Sequence, residues 1–266
     1  AFNYFADSYL FDGYDESSTA RIQNWINEKT RGLLKEAVEG VELTPDSILN
    51  ICTTLYFNGR WSDWFYKDYT EEMTFHSPSG DITTDFMYKQ ESGSLFLGSN
   101  FTAVINSFEN DGGLMYFILP NEGETVDDVL SSDEYLDFVF IRNPRQDFDY
   151  YDAIVHQRIP KFDISSDVSL NQALKNLGIE KVFTGNGDFS NLISEKYPVS
   201  VDKVQHAARI KIDEEGCEAA AYVDLGLVGE APPPPEEVYF TADRPFIIVI
   251  KTDTNQPLFM GVVNNP

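Results

Sequence analysis

The sequence is poor in the residues that carry metal, redox or phosphate chemistry. It holds two cysteines, Cys52 and Cys217, and three histidines, His76, His156 and His206. Two cysteines do not make a disulfide scaffold. The histidines are scattered, and each reads first as a structural residue. No HExxH, paired CxxC, glycine-rich phosphate loop or G-x-S-x-G elbow occurs. Basic residues are scarce: 19 Lys and Arg stand against 44 Asp and Glu, a formal net charge of −25. That imbalance argues against nucleic acid or an anionic membrane as partner and reads as a solubility device. No hydrophobic run is long enough to span a bilayer. Carboxylates are so abundant that any chosen pair would be arbitrary. No catalytic residue, metal or cofactor is therefore assigned, and the chain is expected not to be an enzyme.

What is present suits a folded α+β protein. Of 266 residues, 42% are hydrophobic, enough for one sizeable core or two small ones. Alternation over residues 2–11 predicts a strand. Ser17 or Ser18 caps a helix expected to reach about Val38, with Ile22, Trp25, Ile26, Leu33, Leu34, Ala37 and Val38 on its apolar face. Residues 48–57 form an apolar, β-branched strand closed by Asn58 and Gly59. Residues 70–104 read as short strands with turns at Ser79-Gly80 and Ser92-Gly93. Residues 114–119 are a buried strand, 126–138 one helix, and 147–152 an acidic, tyrosine-rich turn without metal-ligand spacing. Strand resumes over 153–164, and a short helix over 168–177 is closed by Gly178. Strand is expected again over 204–212, and a hairpin joins 246–250 to 258–263. The sequon at Asn100 has meaning only in a eukaryotic secretory setting and is otherwise chance.

One stretch stands out. Residues 214–231 read EEGCEAAAYVDLGLVGEA and run into Pro232, Pro233, Pro234 and Pro235. Ala and Glu favour a surface helix. Yet from Cys217 the alternate residues Cys217, Ala219, Ala221, Val223, Leu225 and Leu227 are all apolar, which is the signature of a strand with one buried face. The second reading makes the segment a strand in waiting, exposed in one state and inserted into a sheet in another. Burying Val223, Leu225 and Leu227 is worth roughly 1.5–3 kcal/mol each, and each ladder hydrogen bond adds about 0.5–1.5 kcal/mol. The sum rivals the ~5–15 kcal/mol that stabilises a whole domain.

The EEGCEAAA stretch, Glu214, Glu215, Gly216, Cys217, Glu218, Ala219, Ala220 and Ala221, resembles the reactive-loop hinge of the serpins, a family whose loop insertion is a known case of strand addition. The C-terminal FTADRPFIIVIKTDTNQPLFMGVVNNP resembles the family's closing signature. NICTTLYFNGRW, IPKFDIS, LGIEKVF, DFS and VDKVQHAARIKIDEEG match in family order, so the likeness covers nearly the whole chain. It implies a serpin fold of large mixed β-sheets with packing helices. It further implies a single partial domain over 1–266, with the hinge and reactive-centre loop at 214–240 and the family's N-terminal helical layer missing from this chain. That layer is expected as a separate fragment or to be replaced by self-association, and the chain alone is expected not to be a competent metastable inhibitor. In the family's layout Cys52 lies on a central strand and Cys217 at the top of the hinge, both as free thiols.

The resemblance also implies a mechanism: suicide inhibition of a serine protease, with a covalent complex through the loop. The family's count from Glu214 places the reactive bond at Glu230 and Ala231, with Leu227 and Val228 as alternatives. The loop offers no Arg or Lys, so the target is expected to be elastase-like or glutamate-specific. Trp61 sits where the loop first enters the sheet. Thr53 replaces the family's usual asparagine opposite His206; its shorter hydroxyl implies a latch that is either weaker or bridged by water. The first inserting residue is Cys217 in place of the usual threonine. Tyr222 and Asp224 are large for a hinge, but they fall on the alternate set. The alternative is a non-inhibitory serpin acting as protease substrate, carrier or binding protein. Family analogy implies an extracellular or secreted protein, although no signal peptide is present in this chain.

Overall fold

The structure, a computed structural model, describes residues 16–32, 34, 50–55, 57, 59–110, 112–191, 199–201, 203–217 and 236–266. The expected strand at 2–11 lies outside them. Contacts divide the chain into two compact units. One holds residues 1–56 and 165–209, the other 57–164 and 210–266. No helix among the described residues is long and apolar enough to cross a membrane.

In the first unit, α1 (Glu16–Lys29) buries Ile26 with Leu34 and Ala207, and Ile22 and Trp25 pack alongside. The helix is shorter than its apolar pattern suggests. Ser17 and Ser18 lie inside its first turn, so neither is the cap. Its end comes at Lys29, where the chain turns through Arg31 (φ 50°) and Gly32 (φ 80°). Gly32 N–H then reaches back to Asn27 O at 2.8 Å, and Thr30 Oγ1 donates to Ile26 O at 2.8 Å. This left-handed closure satisfies carbonyls that a longer helix would have used. Strand β1 (Asn50–Leu55) follows.

The second unit is built on an eight-stranded sheet. After β2 (Gly59–Arg60) come β3 (Glu71–Ser77), β4 (Gly80–Leu97), β5 (Phe101–Ser107) and β6 (Leu114–Pro120). The expected turn at Ser92-Gly93 is absent. The 18-residue β4 runs straight through it, paired to β7 (Asp149–Pro160) from Phe86↔Pro160 to Leu97↔Asp149. The same pairing draws residues 149–152, expected as a turn, into strand. The turn falls instead at the 3-10 segment Pro144–Gln146.

The helix expected over 126–138 is two: α2 (Val126–Leu130) and α3 (Asp133–Phe140). Thr125 and Asp128 form a capping box on α2. Ser132 Oγ accepts the Tyr135 N–H at the head of α3, so a new helix starts where one was expected to continue. These helices bury Val129, Tyr135, Phe138 and Val139 against Phe96, Phe101, Tyr116, Ile247 and Val249 of the sheet.

Beyond β7 come β8 (Phe162–Ser169) and α4 (Asn171–Asn176). Val168 and Ser169, expected at the start of a helix, are the last residues of β8. Gly178 (φ 86°) closes α4 as expected, with Ile179 N–H on Leu174 O at 2.9 Å. Then follow β9 (Lys203–Ile212), β10 (Gly216–Cys217), β11 (Glu237–Thr241), β12 (Phe246–Lys251) and β13 (Pro257–Val263). The large sheet has the order β11-β7-β4-β5-β6-β12-β13, with β3 on β4, and a smaller sheet has the order β1-β9-β8. All six residues of β12 are buried; the apolar run Phe246–Ile250 predicts this for a central strand, and Lys251 is buried with it.

Candidate functional site

The resemblance directs attention to where β9 ends and the loop begins. After Ile212 the chain makes a tight turn through Asp213, Glu214, Glu215 and Gly216, closed by a bridge between Asp213 and Gly216. The Asp213 carboxylate accepts the Glu215 N–H at 2.9 Å, which pins the turn from inside. Gly216 stands at φ +129°, and a Cβ there would lie 2.2 Å from Gly59 O. Only glycine fits, because the backbone must pass this close for β10 to pair with β2, Gly216 opposite Arg60 and Cys217 opposite Gly59.

The turn is fastened to the residues after β2. Trp61 N–H donates to Glu215 O at 3.1 Å, Phe65 N–H to Glu214 O at 3.2 Å, and the Trp61 indole Nε1–H to Asp213 O at 3.0 Å. Trp61 can serve as this post because it is fully buried and held flat. Its ring stacks on Phe108 at 4.6 Å and 11°, with Phe65 and Phe117 at 5.9 and 6.2 Å.

Glu214 carries the main electrostatic contact. Its side chain is only 9% exposed and receives Lys161 Nζ at 2.9 Å and Thr70 Oγ1 at 2.7 Å. Burial opposes its ionisation, but the hydrogen bonds from Lys161 and Thr70 outweigh it and hold the carboxyl below its ordinary range. Burial likewise works against the Lys161 charge, yet Glu214 and Asp85, at 3.4 Å, push its pKa up. Next door, Lys67 forms a short ion pair with Glu215 Oε1 that raises the lysine. Glu215 Oε2 is buried and has no hydrogen-bond partner among the described residues.

The expected site residues separate into three groups. Trp61, Glu214, Glu215, Gly216 and the backbone of Cys217 come together in the second unit. Thr53 and His206 meet in the first, as Cα partners on the parallel strands β1 and β9. Glu218, Ala219, Ala220, Ala221, Leu227, Val228, Glu230 and Ala231 lie outside the described residues. Sequence reading missed Lys161, Thr70 and Lys67 as partners of the two acids. The only available signal was Lys161 itself, the one basic residue within the IPKFDIS run. Among the described residues, no group of three or more His, Cys, Asp or Glu is arranged to hold a metal ion.

Comparison with known proteins gives a single picture. A family model described as serpin (serine protease inhibitor) matches residues 2–266. The chain is 29% identical over 260 residues to Serpin-Z1B of Triticum aestivum, covering 93% of this chain and 64% of that protein. It is 31% identical over 260 residues to an uncharacterized serpin-like protein of Thermococcus kodakarensis, covering 96% and 58%. Among solved structures, the native state of the thermophilic serpin tengpin superposes with a TM-score of 0.81 at 22% identity, over 95% of this chain and 64% of that one. The chain thus spans less than two thirds of the length of these relatives.

Proposed function

The chain belongs to the serpin family of serine protease inhibitors, and from that premise we propose that it traps a serine protease by offering its reactive-centre loop, within residues 214–240, as bait and inserting the cleaved part as a new strand. The observation that carries this reading is the fastened turn. Gly216 and Cys217 already pair in a ladder with β2, at the head of an alternating apolar set that continues to Leu227. The fixed end of the insert is therefore held in strand geometry before any cleavage.

The chemistry comes from the protease. Its serine Oγ attacks the carbonyl carbon of the bait residue, the amide nitrogen leaves with a proton, and an acyl ester remains. Cutting the loop frees its N-terminal half. Insertion of that half between β1 and β9 must break the direct register from Asn50↔Lys203 to Leu55↔Ala208 and replace it with two new ladders. Thr53 and His206 sit opposite each other within that register and act as the latch. The ester is trapped if insertion outruns its hydrolysis. The bait is Glu230-Ala231, with Leu227 and Val228 as alternatives, and the partner is an elastase-like or glutamate-preferring enzyme.

The test is incubation of the protein, as its source makes it, with a panel of serine proteases, followed by a denaturing gel and mass measurement of the released C-terminal peptide. A covalent band with cleavage between Leu227 and Ala231 supports the reading. Quantitative cleavage without such a band assigns the non-inhibitory alternative, a protease substrate or carrier.

A further inference from the structure

On the second unit, a run of aromatic rings plays no part in the loop's fastening. Tyr66, Tyr69 and Tyr88 form a triangle with centroids 5.9 to 6.3 Å apart. From Tyr88 on β4 the run crosses the sheet to His156 on β7 at 6.1 Å, then to Tyr239 on β11, stacked on His156 at 4.7 Å and 15°. Tyr88 Oη and His156 Nδ1 share a hydrogen bond of 2.8 Å that fixes the middle of the run. The outer rings face water: Tyr69 is 64% and Tyr239 69% exposed. A shallow cleft of about 330 Å³ opens at the Tyr69 end of the run, lined by Asp68, Tyr69, Thr70, Glu71, Tyr88 and Arg158. That lies at the small end of ligand sites, which run from roughly 300 to 1,000 Å³, and suits a single long side chain.

The charges around the rings select the sign of what binds. Glu71 and Glu237 are more than half exposed, and Asp68 is exposed on the cleft wall. The basic groups at hand already face carboxylates: Lys67 with Glu215, Arg158 with Glu71, and the His156 ring with Glu237 at 3.5 Å. The molecule also shows its own binding mode here. The Arg158 guanidinium lies 5.3 Å over the Tyr88 ring while it is ion-paired to Glu71. An incoming guanidinium or ammonium over Tyr69 or Tyr239 would repeat that arrangement with Asp68 or Glu237 as counter-charge.

We propose that this ring patch is a docking surface for a basic segment of a partner protein, holding Arg or Lys side chains over Tyr69 and Tyr239 beside Asp68, Glu71 and Glu237. The inference stands apart from the inhibitory reading: Glu237 and Tyr239 lie in the expected 214–240 stretch but beyond the candidate bonds at Leu227 to Ala231, and the other residues lie outside that stretch.

The experiment titrates the protein, as its source makes it, with a hexa-arginine peptide, and with its neutral hexa-citrulline counterpart, in about 0.15 M salt, where long-range attraction is largely screened. Tyrosine ring resonances are followed by NMR. Hexa-arginine should move the Tyr69 and Tyr239 signals, and hexa-citrulline should not. The double variant Tyr69→Ala with Tyr239→Ala keeps the net charge and should weaken hexa-arginine binding by about tenfold. Tyr69→Leu with Tyr239→Leu, which keeps apolar bulk but no ring, should weaken binding as much and carries the test if the alanine form folds poorly. Equal binding by the alanine form would assign the affinity to diffuse acidity and overturn the proposal. So would equally tight binding of hexa-citrulline or of a neutral oligosaccharide at the same rings.

Discussion

Glu214→Gln keeps the shape of the side chain and removes its charge, so it isolates the electrostatic part of the fastening. Two bounds set the magnitude. Exposed ion pairs are worth about 0–1 kcal/mol, and removing one partner of a fully buried pair costs about 3–5 kcal/mol. Glu214 is 9% exposed and Lys161 34%, so the pair lies between these limits and Glu214→Gln should cost about 1–3 kcal/mol at neutral pH. Lys161→Met should cost a similar amount, and the two together less than their sum, because each single change already forfeits the pair. Thr70→Val, which removes the second donor, should cost about 1 kcal/mol. The assay is urea unfolding followed by tryptophan fluorescence, with Trp61 inside the fastened turn as reporter. The pH dependence has a definite sign. The folded Glu214 pKa is depressed, so its contribution is present above the unfolded value of about 4.3 and is lost as pH falls through the folded value. The gap between parent and Glu214→Gln should therefore close in acid. A coupling between Glu214 and Lys161 below about 0.3 kcal/mol, within ordinary additivity, would refute the reasoning.

Other expectations follow from single residues. Gly216→Ala forces a Cβ to 2.2 Å from Gly59 O at a φ of +129°; it should cost more than about 2 kcal/mol and detach β10 from β2, read as lost amide-exchange protection at Trp61. Lys251 is fully buried, with Nζ on the Val139 and Ile141 carbonyls, and burial lowers its pKa to about 8. Between that value and about 10.4 the unfolded chain keeps a proton the folded one has lost, so the parent should gain on order of 2–3 kcal/mol relative to Lys251→Met as pH rises from about 8 to 10. Burial raises Tyr116 and Tyr135 to about 12, so their contribution falls from about pH 10 upward. A pH–stability curve of parent and Tyr116→Phe, which separate above that point, checks this. Trypsin should neither cut between Leu227 and Ala231 nor be trapped there, since the loop holds no Arg or Lys.

Much of the fold could be read from local pattern where burial is two-sided or turn chemistry is strong. The continuous apolar runs of β6 and β12 and the closure of α4 by Gly178 are examples. The failures have a common physical origin in long-range pairing. Residues 149–152 carry turn-like composition, but their hydrogen bonds go to residues 94–97 of β4, and context of that kind overrides propensity. Ser92 and Gly93 look like a turn and are carried through β4 by the same partner. The break between α2 and α3 was local and readable: Ser132 stands three residues before Tyr135, whose N–H it accepts. At the site, the hinge acids and Trp61 were visible as motif residues. Their partners Lys161, Thr70 and Lys67 were not, because a contact between residues so distant in the chain leaves no spacing to read. The buried stack of Trp61 on Phe108 was hidden for the same reason.

The central claim is that the apolar set from Cys217 to Leu227 becomes the buried face of an inserted strand, and a pair of arginine substitutions tests it most directly. Before any insertion both Ala221→Arg and Ala220→Arg should be nearly harmless, within about ±0.5 kcal/mol. After cleavage and insertion, Ala221→Arg forces an unpaired cation into the sheet at a cost of several kcal/mol, while Ala220→Arg points the other way. The measurement is the fraction of protease driven into covalent complex by each variant, read on a denaturing gel with an enzyme that the parent traps. The account predicts that Ala221→Arg is cleaved as a plain substrate, gaining little thermal stability on cleavage, and that Ala220→Arg still traps and still gains. Equal trapping by both variants would contradict it.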